Sequence, residues 1–317
     1  MEDSITIVLN DRDLLSGVCG VNDRNLRVIE GSLGGRIAAR GNEIRLEGAG
    51  GDGVKRFKSL MDNLIALVKE GESPSPEYVK ALADPESNST GEEEKEAIIQ
   101  IPHGFGRVYP RSRNQALYMR NMKNFDVCFG IGPAGTGKTY LAIAHSLNLV
   151  LSRKIRKMVL TRPVVEAGEN LGFLPGDLAQ KISPYLRPLH DAMESLVPYE
   201  IIQKMEENRS IEIAPLAYMR GRSLNNSVVI LDEAQNTTKE QMKMFLTRIG
   251  EGARAIITGD ITQIDLPRRN ESGLVHAASI LNEVEGLSFT FLHTTDVVRN
   301  PLVKKIIEAY DSAGKEQ

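Results

Sequence analysis

The chain has 317 residues, of which 41% are hydrophobic and 26% charged, with a formal net charge of -3 and two cysteines. This length accommodates one large domain and a smaller one. No apolar run is long enough to cross a bilayer, the N-terminus lacks the layout of a secretion signal, and two cysteines cannot form a disulfide framework. The sequence therefore predicts a cytoplasmic protein without a membrane partner. With this net charge, any nucleic-acid binding depends on local basic patches.

The first 70 residues predict a small α+β domain. Its elements are a strand over 4–9, a helix around Leu14 and Leu15 capped by Asn10 or Asp11, a helix over 22–33, two strands over 36–40 and 43–47, and an amphipathic helix over 57–67. The strands are joined at Gly41-Asn42, a hairpin signal. This order resembles the later part of a KH-type RNA-binding fold.

Two segments of this domain match the GXXG string with which KH domains clamp nucleotides, Gly17–Gly20 and Gly31–Gly34. The second is typical of a helix end. The first has hydrophobic middle residues where a phosphate clamp favours polar or basic ones. RNA contact and a docking or oligomerisation role both remain open for this domain.

Residues 71–96 are predicted to form a flexible acidic linker. They contain Ser73-Pro74-Ser75-Pro76 and Glu92-Glu93-Glu94, and they are poor in apolar residues. The remaining residues, 97–317, are predicted to form a P-loop ATPase domain.

The strongest motif matches the phosphate-binding loop pattern G-x-x-x-x-G-K-[ST]. It consists of Gly132, Pro133, Ala134, Gly135, Thr136, Gly137, Lys138 and Thr139. A predicted strand over 125–129 precedes it and a predicted helix over 140–151 follows. The glycines let the main chain approach phosphate oxygens, Lys138 would reach the β- and γ-phosphates, and Thr139 would hold Mg²⁺. The motif predicts binding of a nucleoside triphosphate.

Paired carboxylates end a second buried strand, Ser227-Val228-Val229-Ile230-Leu231. Asp232 is predicted to bind Mg²⁺ through the outer coordination shell, and Glu233 to orient and polarise the attacking water. Gln263, together with Asp260 at the end of another strand, is suited to sensing the γ-phosphate. Arg299 is a candidate for stabilising charge in the transition state.

Three further segments carry predictions. Gln115, upstream of the phosphate loop, could pair with both edges of an adenine. The segment 164–193 has a glycine-rich front at 168–177 and is predicted to contain a functional loop. Arg220 and Arg222 follow the strand predicted over 211–214, where open α/β sheets place ligands.

Five motifs together closely resemble PhoH-like proteins, bacterial cytoplasmic ATPases linked with phosphate starvation. They are Gly-Pro-Ala-Gly-Thr-Gly-Lys-Thr at 132–139, Thr-Arg-Pro-Val-Val-Glu-Ala-Gly-Glu at 161–169, Leu-Gly-Phe-Leu-Pro-Gly-Asp at 171–177, Leu-Asp-Glu-Ala-Gln-Asn at 231–236 and Thr-Gly-Asp-Ile-Thr-Gln-Ile-Asp-Leu-Pro at 258–267. The resemblance covers nearly the whole chain and implies an α/β, RecA-like P-loop fold with a parallel sheet. Asn300 departs from the His of many relatives. No appended PIN nuclease module is expected, which places the chain outside the nuclease-fused branch.

The same motifs are similar to the first motor domain of superfamily-one helicases. That similarity implies ATP and Mg²⁺ as cofactors, Gln115 as the adenine reader, and Arg162 and Arg222 near single-stranded nucleic acid. Gln263 would link the γ-phosphate to that strand. The family resemblance also implies a role in RNA metabolism, with an endoribonuclease of ribosomal-RNA maturation as a partner.

The chain has one predicted motor domain where such helicases have two, so a neighbouring subunit is needed to cover ATP. We therefore expect a homo-oligomer, with a ring as one arrangement. Arg220, Arg268 or Arg269 would act in trans and Arg299 in cis. The leading hypothesis is a Mg²⁺-dependent ATPase that couples hydrolysis to RNA binding or remodelling. Its alternative is a nucleotide-controlled binding module that recruits a nuclease and hydrolyses slowly.

Overall fold

The computed structural model describes residues 4–69, 71, 73–74, 76–83, 97–163 and 178–297. The chain divides into two compact units, Met1–Ala97 with Tyr109–Ala116, and Ile98–Val108 with Leu117–Gln317. The sequence placed the second domain at 97–317 without a break, whereas residues 109–116 group with the first unit. The glycine-rich stretch 168–177, Arg299 and Asn300 lie outside the described residues.

The first unit is an α+β fold with a three-stranded antiparallel sheet in the order β1-β3-β2. Its elements are β1 (Ser4–Val8), α1 (Arg12–Cys19), α2 (Arg24–Leu33), β2 (Arg36–Arg40), β3 (Glu43–Glu47), α3 (Gly50–Lys69) and α4 (Pro76–Leu82). Asp11 caps α1 by accepting hydrogen bonds from the backbone N–H groups of Asp13 and Leu14. Gly34, at φ 70°, ends α2 in the left-handed conformation that favours glycine. The elements predicted up to α3 are confirmed, and the resemblance to a KH-type fold stays a prediction.

Helix α4 corrects the linker prediction for part of its length. Tyr78, Val79 and Ala83 are buried in the same hydrophobic core as α1, α2 and α3. Pro76 stands at the first helical position, where its missing N–H leaves no hydrogen bond unmade. The predicted linker is therefore wrong for 76–83, because apolar side chains at helical spacing bury there. Residues 84–96 lie outside the described part of the chain.

The second unit contains a two-stranded antiparallel pair and a large parallel sheet with its helices. The elements are β4 (Ile99–Ile101), β5 (Gly106–Val108), α5 (Arg113–Asn124, within which the unit boundary falls), β6 (Val127–Ile131), α6 (Lys138–Leu151), β7 (Lys157–Arg162), α7 (Leu178–Glu194), α8 (Tyr199–Glu207), β8 (Ile211–Pro215), β9 (Ser227–Leu231), α9 (Lys239–Leu246), β10 (Arg254–Gly259), α10 (Gly273–Ile280) and β11 (Leu287–Phe291). Within the described residues, no helix has the length and apolar character needed to span a bilayer.

Six parallel strands lie in the order β11-β6-β10-β9-β7-β8. Every residue of β9 is buried, as expected for a parallel strand covered on both faces. Phe245 of α9 and Leu274 of α10 pack in a core with alternate residues of the central strands, and α6 contacts β7, β9 and β10. The predicted α/β fold with a parallel sheet is confirmed.

The register of the sheet brings the predicted motifs to one edge. Ile131, the last residue of β6, pairs with Gly259 at the end of β10. Leu231 at the end of β9 pairs with Ile257 of β10 and with Thr161 of β7. Asp232, the residue after Leu231, therefore lies level with Thr258 on β10 and with Arg162 on β7. The carboxyl ends of parallel strands form the edge at which such sheets bind ligands.

Candidate functional site

The phosphate loop connects the end of β6 to the start of α6. Gly135 and Gly137 have φ values of 81° and 82°, a region open to glycine and unfavourable for other residues. Gly137 is the N-cap of α6, and no side chain caps this end of the helix. The amides of the first helical turn, at the positive end of the helix dipole, therefore form a cradle suited to an anion.

Gly132 is required by close packing between strand ends, whereas the motif suggests that its glycines serve the approach of the main chain to phosphate. Its backbone N–H donates to the carbonyl of Gly259 at 3.1 Å, and a Cβ atom at this position would overlap the backbone carbonyl of Leu292, just after β11. Leu292 is itself held in place by donating from its N–H to Ile131 at 2.7 Å. The first glycine of the loop thus allows the close packing of three strand ends.

Lys138 lies inside the loop, with its ammonium group donating to the carbonyls of Gly132 at 2.6 Å and Pro133 at 2.8 Å. Burial lowers the pKa of Lys138, and the nearby carboxylates of Asp260, Glu233 and Asp232 oppose this by raising it. A cation held in a partly desolvated loop interacts strongly with phosphate oxygens, because less water screens the interaction.

Asp232 is the centre of a hydrogen-bond cluster that joins four elements. Its Oδ1 accepts from the hydroxyl of Thr139 on α6 and from that of Thr258 on β10, both at 2.6 Å. Its Oδ2 accepts from Nε of Arg162, at the end of β7, at 2.7 Å, and the terminal guanidinium nitrogen of Arg162 also pairs with it. Only 2% of the Asp232 side chain is exposed. The two predicted magnesium ligands are therefore in direct contact.

The donor set at this cluster fits Mg²⁺, which prefers oxygen ligands and keeps several waters. Thr139, in the first turn of α6, and Asp232 supply a hydroxyl and a carboxylate that are in direct contact. Among the described residues, no group of three or more His, Cys, Asp and Glu side chains is arranged to hold a metal ion. Phosphate oxygens and water would therefore provide the rest of the coordination, as in nucleotide sites where metal and phosphate bind together.

Glu233 stands in a strained backbone conformation beside this cluster. Its φ is 55°, in the left-handed region that is uncommon for residues other than glycine. Its Oε2 accepts from Nε2 of Gln235 at 2.6 Å, and the same amide group donates to the carbonyl of Gln263 at 3.1 Å. The Oε1 of Gln235 accepts from the backbone N–H of Asp260 at 3.0 Å. Gln235 thus fixes the carboxylate of Glu233 relative to the end of β10.

Asp260 contacts the phosphate loop directly. Its Oδ2 accepts from the backbone N–H of Ala134 at 3.1 Å, and its Oδ1 accepts from the N–H of Thr262 at 2.9 Å and from the hydroxyl of Thr262 at 2.6 Å. The side chain of Gln263 is exposed, and its backbone contacts Gln235. The sequence suggested Gln263 and Asp260 as sensors of the γ-phosphate. In the structure, Asp260 holds the phosphate loop in position, whereas the side chain of Gln263 is exposed and does not contact the loop through any described hydrogen bond.

Arg222 and Glu212 form a bidentate ion pair beside the first half of the outer strand β8, with N···O distances of 2.6 and 2.9 Å. Lys157 also contacts Glu212. The hydrogen bond from Arg222, followed by the interactions with Lys157, lowers the pKa of Glu212 to about 2, and burial opposes this shift. Glu212 and Lys157 belong to the amino-terminal halves of β8 and β7. Arg222 is therefore paired with a carboxylate away from the carboxyl edge of the sheet, where the sequence predicted contact with a nucleic acid.

The other predicted site residues are dispersed. Gln115 is buried in the first unit, at the start of α5, and its Oε1 accepts from the backbone N–H of Arg111 at 2.7 Å. Arg220 is exposed after β8. Arg268 lies 3.5 Å from Glu271, and Arg269 donates to the carbonyl of Thr262 at 2.9 Å. Arg299 lies outside the described residues.

Sequence reasoning missed the roles of Gln235 and Thr258, although both lie inside motifs that it identified. The spacing of the motifs indicates that strands end near these residues. It does not indicate which polar side chain faces Asp232 or Glu233, because that depends on the order and register of strands that are distant in sequence.

Comparison with known proteins identifies the family of this chain. A family model described as PhoH-like protein matches residues 107–311. A PhoH-like protein of Bacillus subtilis is 45% identical over 96% of the chain and 96% of its own length. A PhoH-like protein of Mycobacterium bovis is 45% identical over 94% of the chain and 85% of its own length.

Among solved structures, the Pif1 helicase from Candida albicans matches 57% of this chain and 40% of its own chain. The TM-score is 0.31 and the sequence identity 14%, values too low to support an inference. The assignment to a family rests on the match to the family model and on the identity to the two bacterial relatives, because each of these covers well over half of the chain. The chain belongs to the PhoH-like protein family, a family of P-loop ATPases.

Proposed function

We propose that this chain is a Mg²⁺-dependent ATPase that couples hydrolysis of ATP to binding or remodelling of single-stranded RNA. The observation that carries the proposal is the 2.6 Å hydrogen bond between Thr139 and Asp232. It joins the end of the phosphate loop to the carboxylate that ends β9. A hydroxyl and a carboxylate in contact beside an anion cradle are the arrangement that a magnesium–nucleotide complex requires.

Each residue of this cluster has a distinct role in the proposed reaction. The amides of the phosphate loop and Lys138 bind the phosphates, and Thr139 and Asp232 hold the metal. When bound, Mg²⁺ neutralises charge that develops on the transferred phosphoryl group. Asp260 holds the loop through Ala134, so that the phosphate-binding amides are oriented before the substrate arrives.

Glu233 is proposed to orient and polarise the attacking water. It directly follows the metal-binding Asp232, and its carboxylate is held by the amide of Gln235 at 2.6 Å. A carboxylate fixed in this way loses little orientational freedom when it accepts a hydrogen bond from water, and positioning of this kind is a major part of phosphoryl-transfer catalysis.

Arg162 supports the proposed coupling to RNA. It pairs with Asp232, and it is the last residue of β7, at the ligand-binding edge of the sheet. An RNA phosphate that drew Arg162 away would change the charge around Asp232 and therefore its interaction with Mg²⁺. Single-stranded RNA is thus the proposed partner, and an endoribonuclease of RNA metabolism is proposed as a second one.

We further propose that the active form is a homo-oligomer. Hydrolysis of nucleotides is commonly accelerated by an arginine supplied to the transition state, by roughly 10³–10⁵-fold. Arg220 and Arg268 are exposed on the second unit, where each could reach the nucleotide of a neighbouring subunit. The prediction is tested by measuring the specific rate of hydrolysis as a function of protein concentration. A monomer with the full rate at every concentration contradicts it.

The proposed function is tested by measuring ATP turnover with and without single-stranded RNA in the wild type, Lys138→Ala and Glu233→Gln. We expect stimulation by RNA in the wild type and loss of nucleotide binding in Lys138→Ala. Glu233→Gln should bind ATP and hardly cleave it. Turnover that RNA does not affect, combined with partner binding that depends on nucleotide, would instead favour a nucleotide-controlled binding module.

A further inference from the structure

The second unit has a cavity of about 670 Å³ at the edge of the sheet opposite the phosphate loop. Its lining includes Arg156, Ser210 and Asn226, which directly precede β7, β8 and β9. Because the six strands are parallel, their amino ends lie at the edge away from the phosphate loop. The cavity is therefore separate from the candidate nucleotide site, and its volume is within the usual range for ligand pockets.

The lining of this cavity carries positive charge without matching negative charge. Arg153, Lys154 and Arg156 line it with exposed side chains, and no Asp or Glu is among the lining residues. Within the described part of the chain, none of the three forms an ion pair. Cations that converge on a concave surface without counterions raise the local concentration of anions.

A neighbouring cavity extends the positive charge. Lys154 also lines a second cavity, of about 360 Å³, together with Lys123 and Arg254. The ammonium of Lys123 donates to the carbonyl of Ile98 at 2.9 Å, so it is fixed in position. Lys154 is therefore shared by both cavities, and Arg254 of the second cavity lies 3.9 Å from the carboxylate of Asp126.

Several residues around the first cavity adopt the left-handed backbone conformation. The described residues include seven non-glycine residues with positive φ, and four of them border this cavity, His103, Arg153, Arg209 and Asn226. Such residues cluster at binding and catalytic sites, where surrounding structure maintains the strain. Three of the four line the cavity, and Arg209 lies between the lining residues Asn208 and Ser210.

Two of these strained residues are arginines at equivalent positions. Arg153 follows Ser152, the C-cap of α6, and Arg209 follows Asn208, the C-cap of α8. This position favours glycine, because it is left-handed. Cations also stabilise helix C-termini, but a cation within the last helical turn would do so without the strained backbone. The helix dipole therefore does not account for arginine at both positions.

We propose that this cavity, the basal pocket (Arg153, Lys154, Arg156, Asn208, Ser210 and Asn226), binds phosphate groups. The cations neutralise the phosphate, and the amide and hydroxyl side chains donate hydrogen bonds to its oxygens. The phosphate belongs either to the backbone of a single-stranded RNA or to a phosphorylated small molecule. This binding is independent of ATP hydrolysis at the phosphate loop.

The test uses Arg153→Gly, which removes the charge and relieves the backbone strain at once. Loss of binding in this variant cannot result from a weaker fold if its melting temperature is equal to or above that of its parent. Lys239→Gln, which removes the same charge from α9, is the matched control. All proteins also carry Lys138→Ala to exclude binding at the phosphate loop. The probes are inorganic pyrophosphate, followed by calorimetry, and a fluorescent single-stranded oligouridylate, followed by anisotropy at several salt concentrations.

We expect at least one probe to bind, with an affinity reduced about 10-fold or more by Arg153→Gly and unchanged by Lys239→Gln. Binding of pyrophosphate identifies a small phosphorylated ligand. Binding of the oligonucleotide alone, with a salt slope lowered by about 0.7 in Arg153→Gly, identifies the RNA backbone. Failure of both probes to bind, or equal weakening by the control, overturns the proposal. Should Arg153→Gly melt at a lower temperature, Arg156→Gln is used under the same criteria.

Discussion

Arg162 and Asp232 form an ion pair between the ends of β7 and β9, with Nε of the arginine 2.7 Å from Oδ2 of the aspartate. The same carboxylate accepts from Thr139 at 2.6 Å. Arg162, which is proposed to sense RNA, and Thr139, which is proposed to hold the metal together with Asp232, therefore both donate to the same buried carboxylate. If RNA binds at Arg162 and Mg²⁺ at Asp232, as proposed, the binding of one would alter the binding of the other through this carboxylate, without a rearrangement of the sheet.

Arg162→Ala is expected to destabilise the protein. The substitution leaves a buried carboxylate without its cation, and the loss of one member of such a pair lowers the free energy of unfolding by about 3 kcal/mol. Mg²⁺ together with ADP should restore more stability to Arg162→Ala than to the wild type, since the metal replaces the missing charge. Chemical denaturation with and without the ligand measures both effects. Arg162→Lys, which keeps the charge, is the control, and an unchanged stability of Arg162→Ala would contradict the prediction.

Gln235→Ala is expected to slow hydrolysis without preventing nucleotide binding. Its amide group holds the carboxylate of Glu233 at 2.6 Å, and loss of this orientation should lower kcat by about 10²-fold, within the range of positioned acid–base groups. The KM for ATP should change little, because Gln235 does not contact the phosphate loop through any described hydrogen bond. Steady-state kinetics separate the two parameters. A raised KM with an unchanged kcat would assign Gln235 to binding instead.

Gly132→Ala is expected to destabilise the second unit even without nucleotide. The added methyl group would overlap the backbone carbonyl of Leu292, and overpacking of this kind lowers the free energy of unfolding by about 1–3 kcal/mol. Thermal unfolding of the nucleotide-free protein measures the effect. Gly31→Ala is the control, because a Cβ there meets no atom within 4 Å and alanine favours the helix α2. Equal melting temperatures for Gly132→Ala and the wild type would show that the strand ends can separate without penalty.

His145 is expected to make the protein sensitive to mild acid. Burial, together with the nearby cations Arg254 and Lys123, lowers the pKa of His145 to about 3. In the unfolded chain the pKa is about 6.5, so below pH 6.5 protons bind the unfolded state and stability falls. At pH 5 the loss is about 2 kcal/mol. Glu212, with its pKa of about 2, contributes to the pH dependence only below its ordinary value of 4.5.

This dependence is measured by urea unfolding at several pH values between 7 and 5. His145→Gln should remove most of the slope, while replacement of the exposed His103 by Gln should leave it unchanged. An equally steep loss of stability in His145→Gln would place the acid-sensitive group elsewhere.

The elements of the phosphate-binding half are largely readable from the sequence. The parallel strands are continuous apolar runs, and the loop after β6 needs glycine at Gly135 and Gly137 because φ is positive there. These are local properties, since each depends on neighbouring residues and on backbone conformation. The helix α4 was not predicted because it is short and has few apolar residues, and their burial becomes evident only from the core in which they pack.

The pairing of side chains could not be predicted in the same way. The contacts of Asp232 with Thr258 and Arg162 span 26 and 70 residues, and they exist because β9 lies between β7 and β10. Gln235 reaches Glu233, two residues away, and also the end of β10. A motif predicts which residues lie at an edge of the sheet, whereas the order of the strands determines which of these residues are in contact.

The sequence by itself therefore determined the family, the class of fold and the phosphate loop, because these follow from local spacing and composition. Only the tertiary structure decided that Arg162 neutralises Asp232, that Asp260 holds the loop, and that a basic pocket lies at the opposite edge of the sheet. These features depend on strand order and register, which arise from packing between segments that are distant along the chain.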